Sequence, residues 1–313
     1  MDTPIVDEIC ATRSTVNVSP TQGEGTVEVK VSGGGVLPPA TDLVREAFAA
    51  AGEKRFFLAR VFYRTIFGAD WKHAVLGFAY FKCLDTLVDE DPDARRALAV
   101  LAAQRRFIAR VYAGDAIDGL APPERFGAPF FAYDRAIGSP LRVEFETILA
   151  SMDLDTRRRG RALDAAALDA YVLEVGGGVF RSLMYHAAPD VVLPTGFLEH
   201  ASRAYLKADA LIDLRHDLAL GVVNVPAEDV ERYGITLDCS DSALRSWIER
   251  EAGRVLDDFA TALAEGRRLG RWSLRLLAWL YLATKRRGLR RFLVREGLRP
   301  APQAAFSLGM PSR

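Results

Sequence analysis

From Asp42 onward, apolar residues recur at the three- and four-residue spacing of amphipathic helices, and alternating strand-like runs are few. Breakers fall at 114–129, at Gly138-Ser139-Pro140, across 189–194 and 221–226, and around Gly234. They predict about eight to ten helices of ordinary length, with no internal repeat. Residues 1–40 differ. They are rich in Thr, Val, Ser and Gly, end in Gly33-Gly34-Gly35 and Pro38-Pro39, and alternate like a strand only at 26–31. One isolated strand rarely folds alone, so this segment reads as a flexible leader. The pattern predicts one all-α domain over 41–300, preceded by the 1–40 leader and followed by a 301–313 tail.

Two acidic segments interrupt this pattern. In the helix around 78–90, Asp85 and Asp89 lie about 40° apart on a stripe with Phe78, Phe81 and Val88, and Lys82 projects beside them. Taken alone, this pair is equally compatible with a solvated helix end. The second segment aligns Asp209, Asp213 and Asp217 at i, i+4, i+8, within about 80° of helix surface beside Leu206 and Leu220. Arg215 projects to the other side. Like charges four residues apart repel by roughly 0.2–0.5 kcal/mol even when exposed, so aligned carboxylates call for a cation. Hard oxygen ligands suit Mg²⁺, which takes one or two carboxylates and completes its octahedron with water and phosphate oxygens. Two facing helices so equipped could hold Mg²⁺ and a diphosphate, neutralising the leaving group as a C–O bond ionises.

Composition narrows the classes of function. With 41 basic and 41 acidic residues among 313, no global field favours nucleic acid. Cys10, Cys83 and Cys239 lie far apart, as expected of a reducing cytosol rather than a disulfide framework or structural zinc site. Asp2, Asp7 and Glu8 make a secretory signal or transit peptide unexpected. His73, His186, His200 and His216 form no metal-binding pattern, and no Walker or dinucleotide loop is present. The most apolar stretch, 272–284, contains Arg275 and ends in Lys285-Arg286-Arg287, so 271–295 reads as an amphipathic helix and not a membrane span.

Between the acidic segments, Tyr171, Val175, Gly178, Ser182 and Tyr185 share one helical face. Gly176, Gly177 and Gly178 each cost about 1 kcal/mol relative to Ala in a helix interior. Such glycines make room either for a ligand or for close helix packing.

These residues resemble the squalene/phytoene synthase family of head-to-head prenyl synthases over about residues 50–295. Asp85-Thr86-Leu87-Val88-Asp89 and Asp213-Leu214-Arg215-His216-Asp217 are similar to its two aspartate motifs. The run Lys54-Arg55-Phe56-Phe57-Leu58-Ala59 resembles its Lys-Ser-Phe-Tyr-Leu-Ala opening, and the segment 171–179 resembles its Tyr-Cys-x-Tyr-Val-Ala-Gly-x-Val segment. The stretch 221–234 is similar to its Gly-Arg-x-Tyr-Leu-Pro loop and the tail that follows. Departures are Arg55 for Ser, Lys82 for Arg, Leu206 and Asp209 for Gln and Asn, Ile212 for the Arg before the second motif, and Val222 for the loop Arg. Lys207 matches the squalene-type Lys.

The resemblance implies a class I isoprenoid synthase-type helical bundle with a central cavity, and a Mg²⁺-dependent enzyme acting on prenyl diphosphates. Implied metal ligands are Asp85, Asp89, Asp209, Asp213 and Asp217, with Asp85, Asp213 and Tyr171 in catalytic roles. Implied substrate contacts are Lys54, Arg55, Phe56, Phe57, Phe78, Phe81, Lys82, Val175, Gly178, Ser182 and Lys207. NADPH is required only for a reduced, squalene-type product. A terpene cyclase acting on one prenyl diphosphate, and a non-catalytic assembly-factor-like member, share the same fold. An apolar product also suggests peripheral membrane contact through the 271–295 helix.

Overall fold

The computed structural model of the chain describes residues 16–20, 27–31, 40–50, 56–115, 117, 119–235 and 242–300. Helices dominate them, as the periodicity predicts. The exception lies near the start, where β1 (Val16–Pro20) pairs antiparallel with β2 (Val27–Val31) in the register Val16↔Val31. The alternating stretch is therefore not an isolated strand. Its partner, Val-Asn-Val-Ser-Pro, carries the same alternation in a segment too short to stand out. The other leader residues and the 301–313 tail lie outside the described residues.

The chain packs as two compact units, one reaching Thr156 and taking in His186–Pro189, the other holding Arg157–Tyr185 and the chain from Asp190. In the first unit, α1 (Ala40–Ala50), α2 (Phe56–Phe67), α3 (Trp71–Asp89), α4 (Ala94–Ala113), α5 (Pro122–Ala136) and α6 (Arg142–Arg157) follow one another. The breaker expected over 114–129 is only partly one. Pro122 and Pro123 open α5, where their missing N–H groups are unpaired in any helix, and Pro129 lies buried inside it.

The core of this unit is an aromatic cluster in which Phe131 meets Tyr80 edge-on at 4.9 Å and Phe145 at 5.5 Å. Reciprocal glycines bring α3 and α5 together. A Cβ on Gly77 would stand 2.7 Å from the Phe130 ring, and one on Gly127 would stand 2.6 Å from the Tyr80 ring. Each glycine thus seats the other helix's aromatic ring, which sets the depth of α3, the helix that carries Asp85 and Asp89. The Tyr80 hydroxyl donates to Gln104 Oε1 at 3.2 Å, and Gln104 Nε2 donates to Glu124 at 3.0 Å, so the buried polar groups are partnered.

In the second unit, α7 (Ala165–Ala187, its last residues counted with the first unit) precedes α8 (Thr195–Ile212) and two short helices, α9 (Leu214–Ala219) and α10 (Ala227–Tyr233). The long helices α11 (Ser242–Gly266) and α12 (Trp272–Arg295) complete it. Phe197, Ala201, Ala204, Ala208 and Leu211 form the buried stripe of α8, whose small residues let α11 and α12 approach closely. Two-residue strands β3 (Arg161–Ala162) and β4 (Val222–Val223) pair in parallel. Gly221 enters β4 at φ +78° and approaches the backbone of Gly160, so only glycine fits there without strain.

Two outcomes test this packing. Gly127→Ala is expected to destabilise the protein by about 1–3 kcal/mol in urea unfolding, because the Tyr80 ring is fully buried and has no room to move. Burial lowers the His186 imidazole pKa, with Asp134 and Asp70 partly offsetting the effect. The unfolded chain then binds a proton that the folded one resists. Stability therefore falls as the pH drops through the ordinary histidine value, about 6.5. Unfolding midpoints measured across this range should slope less in His186→Leu than in the parent; equal slopes would refute the assignment.

Candidate functional site

Asp85 and Asp89 occupy the last two turns of α3, and no basic residue lies in the final turn. The aligned carbonyls of a helix C-terminus carry about half a negative charge, so both carboxylates stand where the local field already favours a cation. They do not lie on the packed stripe. The buried face is Leu76, Tyr80, Leu84 and Val88, and the two carboxylates flank it half-buried, where water still reaches them. Phe78 is 53% exposed and so lies off the packed face of α3, because the helix turns its other side to α5. Phe81 is half-buried in the aromatic cluster, 5.8 Å from Phe145. Lys82 Nζ donates to Asp85 Oδ2 at 2.8 Å, an exposed pair that contributes about 0.3–0.5 kcal/mol and leaves the local charge negative.

The second motif departs from the single helix expected of it. Helix α8 ends at Ile212, and Asp213 (φ −94°, ψ 4°) caps its C-terminus while opening α9. Asp209 lies in the last turn of α8 and Asp217 in α9, so the three carboxylates occupy two helices joined at Asp213. Helical bonding continues on either side, with Asp213 N donating to Asp209 O and Asp217 N to Asp213 O, each at 2.9 Å. Asp209 and Asp213 thus stand at the end of α8, and Asp217 in the first turn of α9. Arg215 turns away to Glu296 at 2.9 Å, as its position on the helix predicts. His216 is exposed.

Each second-motif aspartate has a different setting. Lys285, from α12, donates to Asp209 Oδ1, and its ammonium lies 4.8 Å from the Tyr205 ring centroid. Asn224 Nδ2 donates to Asp217 Oδ2 at 3.0 Å. Asp213 is exposed, and among the described residues no side chain meets its carboxylate.

Sequence reasoning missed the group behind Asn224. Arg158, 4% exposed, donates to the Val223 carbonyl at 2.7 Å and to Asn224 Oδ1 at 2.6 Å, and its guanidinium lies 5.6 Å from the Tyr171 ring centroid. Tyr171, Arg158, Asn224 and Asp217 thus form one connected set around the β3–β4 bridge. Three consecutive arginines, Arg157 to Arg159, gave no hint that the middle one is buried. Its partners lie 65 and 66 residues away.

On α7, Val175 and Gly178 are buried, while Tyr171, Ser182 and Tyr185 are half-buried. The Ser182 Oγ atom is inaccessible to solvent and has no hydrogen-bond partner. Gly176 serves close packing: a Cβ there would stand 2.6 Å from the Ser202 side chain on α8. Lys207 bonds Glu251 Oε1 at 2.9 Å; Glu251 is buried and also takes Arg254. That ammonium is therefore already neutralised on α11. Lys54 and Arg55 lie outside the described residues, and the Phe56 and Phe57 side chains, at the start of α2, lie outside them too.

Among the described residues, no three His, Cys, Asp or Glu side chains converge to hold a metal ion by themselves. The donor chemistry nevertheless fits Mg²⁺. Each motif offers hard carboxylate oxygens, in the small number per ion that leaves positions for water and phosphate.

Against known proteins, the squalene/phytoene synthase family pattern matches residues 59–296. A presqualene diphosphate synthase of Rhodopseudomonas palustris is 30% identical over 191 residues, 59% of this chain and 65% of that protein. One of Sinorhizobium fredii is 26% identical over 194 residues, covering 61% and 67%. The chain thus spans just under two thirds of the first relative's length. The crystal structure of squalene synthase HpnC from Alicyclobacillus acidocaldarius superposes with a TM-score of 0.62 at 21% identity, covering 84% of this chain and 95% of that one. A dehydrosqualene synthase in complex with ligand gives 0.60 at 18% identity, covering 82% and 89%. At these identities the structures share the fold: an all-α isoprenoid synthase.

The Lys285–Asp209 pair yields a test. Replacing Lys285 with Met is expected to tighten Mn²⁺ binding, followed by electron paramagnetic resonance, roughly fivefold, the effect of removing one screened charge worth about 1 kcal/mol. Unchanged binding would mean that Asp209 takes no part in holding a cation.

Proposed function

Because the chain belongs to the squalene/phytoene synthase family, we propose that it is a prenyltransferase that joins two prenyl diphosphates head to head and stops at the cyclopropylcarbinyl diphosphate. The observation that carries this reading is the presence of an aspartate motif at the C-terminal end of each of two helices, α3 and α8, in a chain whose relatives are presqualene diphosphate synthases. In this reaction two allylic diphosphates become one cyclopropylcarbinyl diphosphate, one free diphosphate and one proton. Carbon–carbon bonds replace one C–O bond without net reduction, so the step requires no NADPH.

Asp85 and Asp89 on α3, and Asp209, Asp213 and Asp217 at the α8–α9 junction, would hold Mg²⁺. When bound, the metal supplies Lewis-acid neutralisation of the departing diphosphate. The side chains do the rest. Lys82 adds a positive charge beside Asp85 for the diphosphate oxygens. Lys54 and Arg55 are proposed for the same role, with Phe56, Phe57, Phe78 and Phe81 lining the path of the prenyl chains. Val175, Gly178 and Ser182 present the α7 face to the hydrocarbon. Arg158, through Asn224, would hold the Asp217 carboxylate in one orientation, because a hydrogen-bonded ligand carboxylate is fixed by its partner. Tyr171 is proposed to take the proton lost on ring closure or to steady the carbocation with its ring. Lys207, engaged by Glu251, is a positioning residue for α8 rather than a diphosphate contact.

Stoichiometry tests the proposal. Purified protein with Mg²⁺ and geranyl, farnesyl or geranylgeranyl diphosphate should release one diphosphate per two substrates consumed. The product should have doubled carbon number and still carry a diphosphate, with or without NADPH. Asp85→Asn and Asp213→Asn should each slow turnover by about a hundredfold or more, as loss of a transition-state charge contact does. Two diphosphates released per hydrocarbon would make it a complete synthase. A product of unchanged carbon number would make it a cyclase, and no release from any substrate would sink the enzymatic reading.

A further inference from the structure

Helix α12 carries both a packed set of apolar residues and a solvent-exposed set of tryptophans and arginines. Its packed face is Leu274, Leu277, Ala278, Leu282, Leu289 and Leu293. Its opposite face exposes Trp272 and Trp279, each 54% accessible, and Val294, 81% accessible. Successive helical turns bring Trp272, Arg275, Trp279, Arg286 and Arg290 into one stripe, within about 40° of Trp279 in projection. Arg287 and Arg291, also exposed, lie about 80° and 120° from Trp279 round the helix.

The charge on this helix is of one sign. Its 24 residues include six arginines and one lysine and no aspartate or glutamate, in a chain whose formal net charge is zero. Lys285 is turned inward to Asp209 and Arg295 pairs with Glu296, but among the described residues Arg286, Arg287, Arg290 and Arg291 meet no carboxylate. Arg286 also feels repulsion from Arg290, and its Nε is shielded from water without a hydrogen-bond partner. A helix that places unpaired arginines beside solvent-exposed indoles lacks an anionic partner that also accepts an aromatic ring.

We propose that this Trp/Arg face of α12 docks the protein on the surface of an anionic phospholipid bilayer. Indole rings partition to the headgroup level, where an apolar ring and a polar N–H are both satisfied, and arginines bind phosphate in forked pairs. A nucleic acid or an acidic protein offers the phosphate or carboxylate groups but no apolar layer for two exposed tryptophans. Among the described residues no helix is long and apolar enough to cross a membrane, so the contact lies along the surface. The inference stands on α12 alone and is independent of the reaction proposed above.

The test is flotation of the full chain with vesicles of phosphatidylcholine alone, or with about one third phosphatidylglycerol. The protein should float with the anionic vesicles and not with the neutral ones. Tryptophan emission should shift to shorter wavelength on binding, and rising salt should release the protein. Trp272→Ala/Trp279→Ala, and separately Arg287→Gln/Arg290→Gln/Arg291→Gln, should each weaken partition at least about tenfold. All these side chains lie on the solvent face, so circular dichroism and diphosphate release from a soluble substrate should remain as in the parent. No flotation with anionic vesicles would overturn the proposal, as would unchanged flotation of both variants. Heparin binding that is lost in the arginine variant and intact in the tryptophan variant, without vesicle binding, would assign the face to a polyanion and also overturn it.

Discussion

The first acidic motif concentrates negative charge where the peptide dipoles already place some: Asp85 and Asp89 close α3, at the end whose unpaired carbonyls disfavour a further anion. In the second motif, Asp209 lies in the last turn of α8 and Asp213 at its junction with α9. A chain optimised for stability alone would put lysine or arginine in those turns. The compensating charges instead come from outside the final turn: Lys82 from one turn earlier, and Lys285 from another helix. Each motif therefore remains a place where a cation, or a cation with its anionic substrate, gains more than it would at an ordinary surface carboxylate. The rest of the fold holds these helix ends in position.

Packing does so differently in the two units. In the first, Gly77 and Gly127 exchange aromatic neighbours, so α3 sinks against α5 at a depth set by the Phe130 and Tyr80 rings. In the second, a stripe of alanines on α8 and the Gly176–Ser202 contact bring backbones together with little side-chain volume between them. Close-packed interiors transmit small displacements rather than absorb them. The carboxylates at the ends of these helices are thus placed by contacts well away from them.

The departures from the family pattern share a theme. Ile212 stands where the pattern has an arginine before the second motif. There, α12 lies close, with Gly288 beside the Ile212 side chain and Lys285 reaching Asp209. Val222 replaces the arginine of the following loop, and the buried Arg158 guanidinium enters that loop from the end of α6. At both places a positive charge absent from the usual position is supplied by a neighbouring element. Charge at a site depends on where side-chain ends meet, and a long flexible side chain from another helix can deliver it as well as the local one.

The helical periodicity, the two aspartate motifs and the family likeness were all legible in the sequence, because each is written in residues a few positions apart. So was Arg215's turn away from the motif, since helix geometry alone dictates it. Other features rest on pairings between distant residues and were not. The break at Asp213 needed the backbone itself, as an i, i+4, i+8 spacing looks the same in one helix or in two that meet end to end. The choice between ligand space and close packing at Gly176 required knowing that Ser202 lies opposite. The exposure of Phe78 required knowing which side of α3 meets α5. Arg158 and Lys285 gave no local signal, because their partners Val223, Asn224 and Asp209 lie 65, 66 and 76 residues away in sequence. The sequence by itself determined which residues could carry the chemistry; only tertiary contacts decided which charges are met, from where, and which face of each helix stays open to solvent.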